Sequence, residues 1–281
     1  MIESVGGEKL HVEIDGSGPV VLFSAGLGES WFDWEPVVPL LRHEYRLVRF
    51  DRPGLGESPI GRRAPTLRVE AARFATLADR YSPDTPAYVV AHSAAALHAE
   101  AFARRHPTRL AGLVLVDPSF EPSVRPRSGH LDGVVRQVIE KLPALAGPLS
   151  ATRLVRLVGP PAYRAGYRYS NERGVAPDGP VDRVYGSADT AVAALAEYAA
   201  YRDQAVDLRR LRARLPFPSV PVVVLTALAG RSARSAARWS AETARLARLL
   251  SGAQTTLPDA RHLVMIDRPD AIADAVRAVT R

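Results

Sequence analysis

The sequence predicts an α/β fold: a mostly parallel central sheet flanked by helices, with a helical cap insertion. Three observations predict it. Short apolar runs of strand character alternate with longer segments of helical spacing up to about residue 117, and again from about residue 216. Between those stretches no convincing buried strand occurs, and helix-like pieces follow one another. The pentapeptide Gly-Leu-Gly-Glu-Ser occurs at 26–30 and again at 54–58, each time just after a strand-like run, which points to similar turns at two strand ends.

Taken in order, residues 10–14 read as a first strand carrying His11, and 19–23 as a short buried one. Residues 31–42 have helical spacing through Trp31, Trp34, Val37, Val38 and Leu41. A strand follows at 46–50, then a helix over 65–81 with Leu67, Val69, Phe74 and Leu77 on one side. Residues 87–91 form the next strand, 94–105 an alanine-rich helix, and 113–116 another strand. From 118 to 215 the helical pieces are 131–145, 151–158 and 188–206, with a Gly/Pro/Tyr-rich stretch at 159–185. Pro216, Pro218 and Pro221 mark the return to strand 222–225, helix 233–250, strand 254–257 and helix 269–279. The expected division is a core of 1–117 and 216–281, with 118–215 as a helical cap over the sheet edge.

Composition narrows the chemistry. A chain of 281 residues that is 47% hydrophobic can bury a sizeable core. With no cysteine, disulfides, thiolate zinc sites and cysteine nucleophiles are excluded. A reducing, cytoplasmic setting is expected, since the first fifteen residues lack the apolar stretch of a signal peptide. No apolar run is long enough to span a bilayer, and no membrane partner is expected. The net charge of +7 is carried almost wholly by arginine, Lys9 and Lys141 being the only lysines. The arginines are scattered and often adjoin acids, as in Arg202-Asp203, and no basic block interleaves with aromatics, so no nucleic-acid partner is expected.

Ser93 is the chemical focus. It stands in Ala91-His92-Ser93-Ala94-Ala95, between a strand and a helix, with small residues two positions either side. A strand-to-helix turn of this kind strains the serine backbone and presents its hydroxyl at the end of the sheet, beside a helix N-terminus. The plainer reading is a serine capping a core helix. A serine nucleophile needs a base, and His262, just past the last strand, is where a parallel sheet builds its site. His11, His43, His98, His106 and His130 are expected to be structural, and the His92 side chain is expected to point away from the site. Oxyanion donors must be backbone N–H groups, expected from Leu27 in Gly26-Leu27-Gly28 and from Ala94. Read as a dinucleotide fingerprint, the same loop would need its third glycine where Trp31 stands. Trp31 is instead a candidate substrate contact. No group of residues has metal-binding spacing, and no cofactor is expected.

Together these pieces resemble the α/β-hydrolase superfamily, of the single-domain type with a helical cap. Asp51-Arg52-Pro53-Gly54-Leu55-Gly56-Glu57-Ser58 is similar to that family's D-x-P-G-x-G-x-S turn. Ala25-Gly26-Leu27-Gly28 is similar to its H-G-x-G oxyanion loop, with alanine for histidine, and residues 91–95 to its G-x-S-x-G elbow, with alanine for both glycines. Residues 113–118 match the strand after the elbow, and His262-Leu263-Val264 with Arg268-Pro269 the terminal histidine loop, Arg261 standing where glycine is common. The resemblance implies an α/β-hydrolase fold. It places the triad acid either in the loop at 226–232, which holds no carboxylate here, or at the end of the strand after the elbow, where Asp117 sits. Asp117 is the expected acid, ahead of Asp259. The resemblance then implies a cofactor-independent serine hydrolase (carboxylesterase-like) cleaving a small-molecule ester or related acyl bond. A serine rather than an aspartate nucleophile disfavours epoxide and haloalkane chemistry. Acyl transfer, C–C bond hydrolysis, cofactor-free oxygen chemistry and a non-catalytic small-molecule receptor stand as the alternatives.

Overall fold

Eight strands form one sheet in the computed structural model, which describes residues 1–126, 134–135, 137–139, 141–151 and 153–281. In chain order they are β1 Ile2–Val5, β2 Glu8–Asp15, β3 Val20–Ser24, β4 Arg46–Phe50, β5 Ala87–His92, β6 Leu110–Val116, β7 Val222–Ala227 and β8 Ala253–Leu257. Their spatial order is β1-β2-β4-β3-β5-β6-β7-β8, antiparallel from β1 to β4 and parallel from there on. The strand holding His11 is therefore the second. The sequence reading passed over β1, which is short and half exposed and has no apolar run. What makes it a hairpin is Gly6-Gly7, both with positive φ (59° and 82°), the conformation a two-residue hairpin turn needs.

Side chains along the parallel strands alternate between two cores, as the period of two requires. Leu22, Val89, Ala91, Leu113 and Leu115 face one, and Val21, Phe23, Val90, Val114 and Val116 the other. Helices α1 Val38–Leu41, α2 Leu67–Tyr81 and α3 Ala95–Arg105 precede β6, and the expected helix over 31–42 is a 3-10 turn at Trp31–Trp34 followed by α1. The α2 helix starts where Thr66 accepts a hydrogen bond from the Val69 N–H, so the expected start at 65 moves inward to Leu67.

Between β6 and β7 lie a 3-10 turn at Leu142–Leu145 and helices α4 Ala146–Ala151, α5 Leu154–Tyr169, α6 Val181–Tyr185 and α7 Ala188–Arg212. The helix expected over 131–145 falls partly outside the described residues, as does His130. Two expectations change here. The helix expected to stop at 158 runs on to Tyr169 through Pro160 and Pro161, and Gly159 permits it: a Cβ there would lie 1.9 Å from the Tyr185 carbonyl, so only glycine lets α5 and α6 close on each other. The stacked rings of Tyr163 and Tyr185 lie in that contact. The helix expected to end at 206 runs to Arg212, with Val192, Ala196 and Ala200 in a separate cluster but Ala205, Leu208 and Leu211 in the sheet's own core. After β7 come α8 Ala233–Leu249, then α9 Val264–Asp267 and α10 Pro269–Thr280 after β8. Ile272, Ala273, Val276 and Val279 of α10 cover the second face of the sheet. Among the described residues no helix is long and apolar enough to cross a membrane.

Candidate active site

In strand order the chain runs from β3 outward to β4, then returns across to β5 on the other side of β3. The carboxyl ends of β3 and β5 therefore flank a topological switch point, the place where open parallel sheets leave a crevice. Ser93 sits there, directly after β5, with φ of 50°. Its N–H donates to Val116 O (3.0 Å), and its own carbonyl accepts from Ser119 N–H (3.0 Å). Non-glycine residues avoid positive φ, so this turn holds Ser93 in a strained conformation. Ala91 and Ala95 are fully buried in the core, which accommodates the methyls that replace the glycines of the resembled motif.

The structure brings three of the expected residues together. The His262 ring lies between Asp117 and Ser93, with Nδ1 2.6 Å from Asp117 Oδ2 and Nε2 3.1 Å from Ser93 Oγ. A carboxylate only accepts, so Nδ1 carries the proton and Nε2 is left to accept from the Ser93 hydroxyl. Asp117 also has positive φ (37°), and its Oδ1 accepts from Trp239 Nε1–H (2.7 Å) and Ala227 N–H (3.2 Å). Burial pushes the Asp117 carboxyl up, but the His262 and Trp239 hydrogen bonds outweigh that and hold it below the ordinary aspartate value. The His262 side chain is 41% exposed, so the site is open to solvent. Asp259, the second choice of acid, lies elsewhere and pairs with Arg268 (2.9 Å).

The loop after β3 is built by Arg52, at a variable position of the 51–58 motif, and by Glu197, which no motif announced. Arg52, buried, donates from Nη1 to Ala25 O (2.6 Å) and from Nη2 to Gly26 O (2.7 Å). Its guanidinium also pairs with Glu197 of α7, Nε to Oε1 at 2.5 Å and Nη2 to Oε2 at 3.0 Å. Glu197 in turn accepts from Gly28 N–H (3.2 Å). With Gly26 and Gly28 N–H both bonded to carboxylates, the Leu27 N–H between them has no hydrogen-bond partner among the described residues, nor has that of Ala94.

Trp31, the candidate substrate contact, packs beside β2 and β4. Its N–H donates to Asp51 Oδ1 (2.8 Å), and its ring lies against His11 of β2 and under the Arg49 guanidinium of β4, toward the antiparallel edge and away from β5. His92 differs from expectation. It is fully buried, and its ring centroid is 4.6 Å from that of His262. Its Nδ1 lies 2.7 Å from Glu29 Oε2 and its Nε2 2.9 Å from the His262 carbonyl. Glu29, His92 and His262 also form a group whose potential ligand atoms lie within 4.8 Å of one another. The nitrogens of both rings already have hydrogen-bond partners, so a cation would have to displace those bonds. Arg261, in the place of a common glycine, pairs with Glu172 (2.5 Å) and donates to Tyr169 O (3.0 Å), while Leu263 N–H donates to Ser170 O (2.9 Å). Those bonds tie the histidine loop to the end of α5.

Asp33 gives the site region a pH dependence. It is buried, and burial together with the Glu29 charge pushes its carboxyl up to about 8. Its oxygens lie 2.8 Å from Ser30 N and 2.8 Å from Tyr163 Oη. An acid whose folded value is raised binds its proton in the folded chain but not in the unfolded one between about pH 4 and pH 8. Stability attributable to Asp33 is therefore full below about pH 4 and falls as pH rises toward 8. Asn imitates the protonated acid, donating to Tyr163 and accepting from Ser30. Asp33→Asn is expected to melt above the parent at pH 8, by about 2–4 °C per kcal/mol gained, with the gap closing toward pH 5. Thermal melts across that range check it, and a gap that widens on acidification would refute it.

A model of the alpha/beta hydrolase family matches residues 20–275. The chain is 33% identical over 96 residues to "Probable oxidoreductase EphD" of Mycobacterium tuberculosis, covering 33% of this chain and 16% of that protein. It is 32% identical over 121 residues to "Epoxide hydrolase B" of the same organism, covering 41% of this chain and 34% of that one. The matches thus span about a third or less of these relatives' lengths. The crystal structure of Cfl2 from Burkholderia cenocepacia superposes with a TM-score of 0.70 at 23% identity, over 100% of this chain and 95% of that one.

Proposed function

The chain belongs to the alpha/beta hydrolase family, and from that premise we propose that it is a cofactor-independent serine hydrolase acting on a small-molecule ester or related acyl bond. The observation that carries this is the continuous chain Asp117–His262–Ser93, at 2.6 Å and 3.1 Å. Ser93 Oγ attacks the carbonyl carbon while His262 Nε2 takes its proton. Asp117 fixes the ring's tautomer and stabilises the imidazolium that forms. The N–H groups of Leu27 and Ala94 receive the negative oxygen of the tetrahedral intermediate. On collapse His262 returns the proton to the leaving alkoxide, and an acyl-serine remains. Water, deprotonated by the same nitrogen, then releases the acid and restores Ser93.

The nucleophile's chemistry also separates this reading from an epoxide hydrolase. Serine opening an epoxide would form an ether, which has no carbonyl for water to attack, so turnover would stop. An acyl-serine has that carbonyl. Residues 118–215 are proposed to act as the cap. A cleft of about 640 Å³ whose lining includes Trp239, the residue bonded to Asp117, is proposed as part of the substrate path.

A fluorophosphonate probe followed by peptide mass spectrometry tests the reading. One label per chain on Ser93, absent in His262→Ala, is expected. A folded parent that takes no label would sink it.

A further inference from the structure

Three loops must hold register for the proposed chemistry: the one after β3, the turn at Ser93, and the one carrying His262. β3 and β5 are neighbours, but β8 lies three strands from β5. No strand ladder therefore ties the His262 loop directly to the Ser93 turn or to the loop after β3. The geometry points to Glu29 and His92 as the residues that make that tie, positioning His262 and the oxyanion loop against Ser93; the inference rests on the serine-hydrolase reading above.

Glu29 Oε2 accepts from Gly26 N–H (2.6 Å) and from His92 Nδ1–H (2.7 Å). His92 Nε2–H then donates to the His262 carbonyl (2.9 Å). One carboxylate so joins the loop after β3, the residue before the nucleophile, and the backbone of the base. Both His92 nitrogens face groups that only accept, so both carry protons and the ring is an imidazolium. Burial opposes that charge, but Glu29 beside it raises His92 above the ordinary histidine value. Burial likewise raises Glu29, and His92 and the Gly26 N–H more than offset it. A buried ion pair adds little stability over apolar side chains of the same volume, so packing alone does not explain its presence here. Its connections do. The Glu29 bond also occupies Gly26 N–H, which leaves Leu27 N–H as the donor of that turn.

Neither residue touches the reacting atoms, so the role is positioning, and the test must read more than stability. In Glu29→Ala the carboxylate is gone, and His262 and Leu27 lose their common anchor. The rate of Ser93 labelling and kcat for a p-nitrophenyl ester are expected to fall by about a hundredfold, the scale of a misplacement near 1 Å. KM is expected to stay within about twofold, because ground-state contacts are untouched. In Glu29→Gln the amide oxygen can take the place of Oε2 and accept from both Gly26 N–H and a His92 that keeps only its Nδ1 proton, which gives up the bond to the His262 carbonyl, so kcat is expected to fall by about tenfold, between the parent and Glu29→Ala. Nitrogen-15 NMR of the histidine rings supplies a readout independent of turnover: two ring N–H protons on His92 in the parent, one in Glu29→Gln. Should Glu29→Ala fail to fold, Glu29→Asp replaces it, since a carboxylate one methylene shorter cannot reach both partners and the same fall in kcat is expected. Parent-like kcat in Glu29→Ala or Glu29→Asp overturns the inference, as does a rise in KM with kcat unchanged, or Glu29→Gln falling as far as Glu29→Ala. A parent that neither labels nor turns over defeats the hydrolase reading itself, and the positioning role with it.

Discussion

Alanine in place of Ser93 is expected to lower kcat for ester hydrolysis by about 10⁶-fold, and His262→Ala by about as much, because the two act as one unit. The double variant is expected to be no worse than either single one. Asp117→Asn is expected to lose about 10⁴-fold, since an amide in that place favours the wrong tautomer of His262. Asp117 also accepts from Trp239 Nε1–H at 2.7 Å, so Trp239→Phe removes a bond that orients this carboxylate without touching Ser93. Its expected loss is about tenfold. Steady-state kinetics on p-nitrophenyl acetate, with circular dichroism to show that each variant folds, checks the series. Activity of Ser93→Ala within tenfold of the parent would transfer the chemistry to another group.

The second large effect is on stability. Arg52 and Glu197 are buried and paired, and Arg52 also satisfies the carbonyls of Ala25 and Gly26. Burial disfavours the guanidinium charge, but Glu197 offsets this and raises Arg52 above its ordinary value. Arg52→Met leaves a buried carboxylate without its cation and is expected to destabilise by about 3–5 kcal/mol. For a chain of this size that lowers the melting temperature by about 10 °C. Lysine does not rescue it, because a point charge cannot make the five bonds of the planar fork. Removing both charges, in Arg52→Met/Glu197→Met, is expected to cost less than the sum of the two single changes. Calorimetry of the four proteins in a double-mutant cycle measures that coupling. Strict additivity would mean the pair is not coupled.

Much of this architecture was legible residue by residue. The alternation of strand and helix through β7 and β8 was readable because the period of two and the period of 3.6 are local patterns. Ser93 was readable because a strained turn demands small neighbours at fixed spacing, and His262 because it follows the last parallel strand. The antiparallel β1 was not, since half-exposed edge strands carry little apolar signal. The run of α5 through two prolines was not either, because the deciding contact is Gly159 against Tyr185, on a different helix. Glu29 did stand within a noted motif, three residues after Gly26, and His92 beside Ser93, but nothing near them in the chain announces their partnership.

With Asp117, after β6, reached through the family resemblance, the sequence by itself determined the fold class, the order of most of its strands along the chain, and Ser93 and His262 after β5 and β8. Those features depend on turn sterics, side-chain periodicity and short spacings, all encoded within a few neighbouring residues. Only the tertiary structure decided that Arg52 holds the loop after β3 and pairs with Glu197, 145 residues away. Only it decided that Trp239 supports Asp117, that Trp31 turns toward β2 and β4, and that Glu29 and His92 join three loops. A buried charge must find its partner wherever packing brings one, and that choice is made by the whole fold.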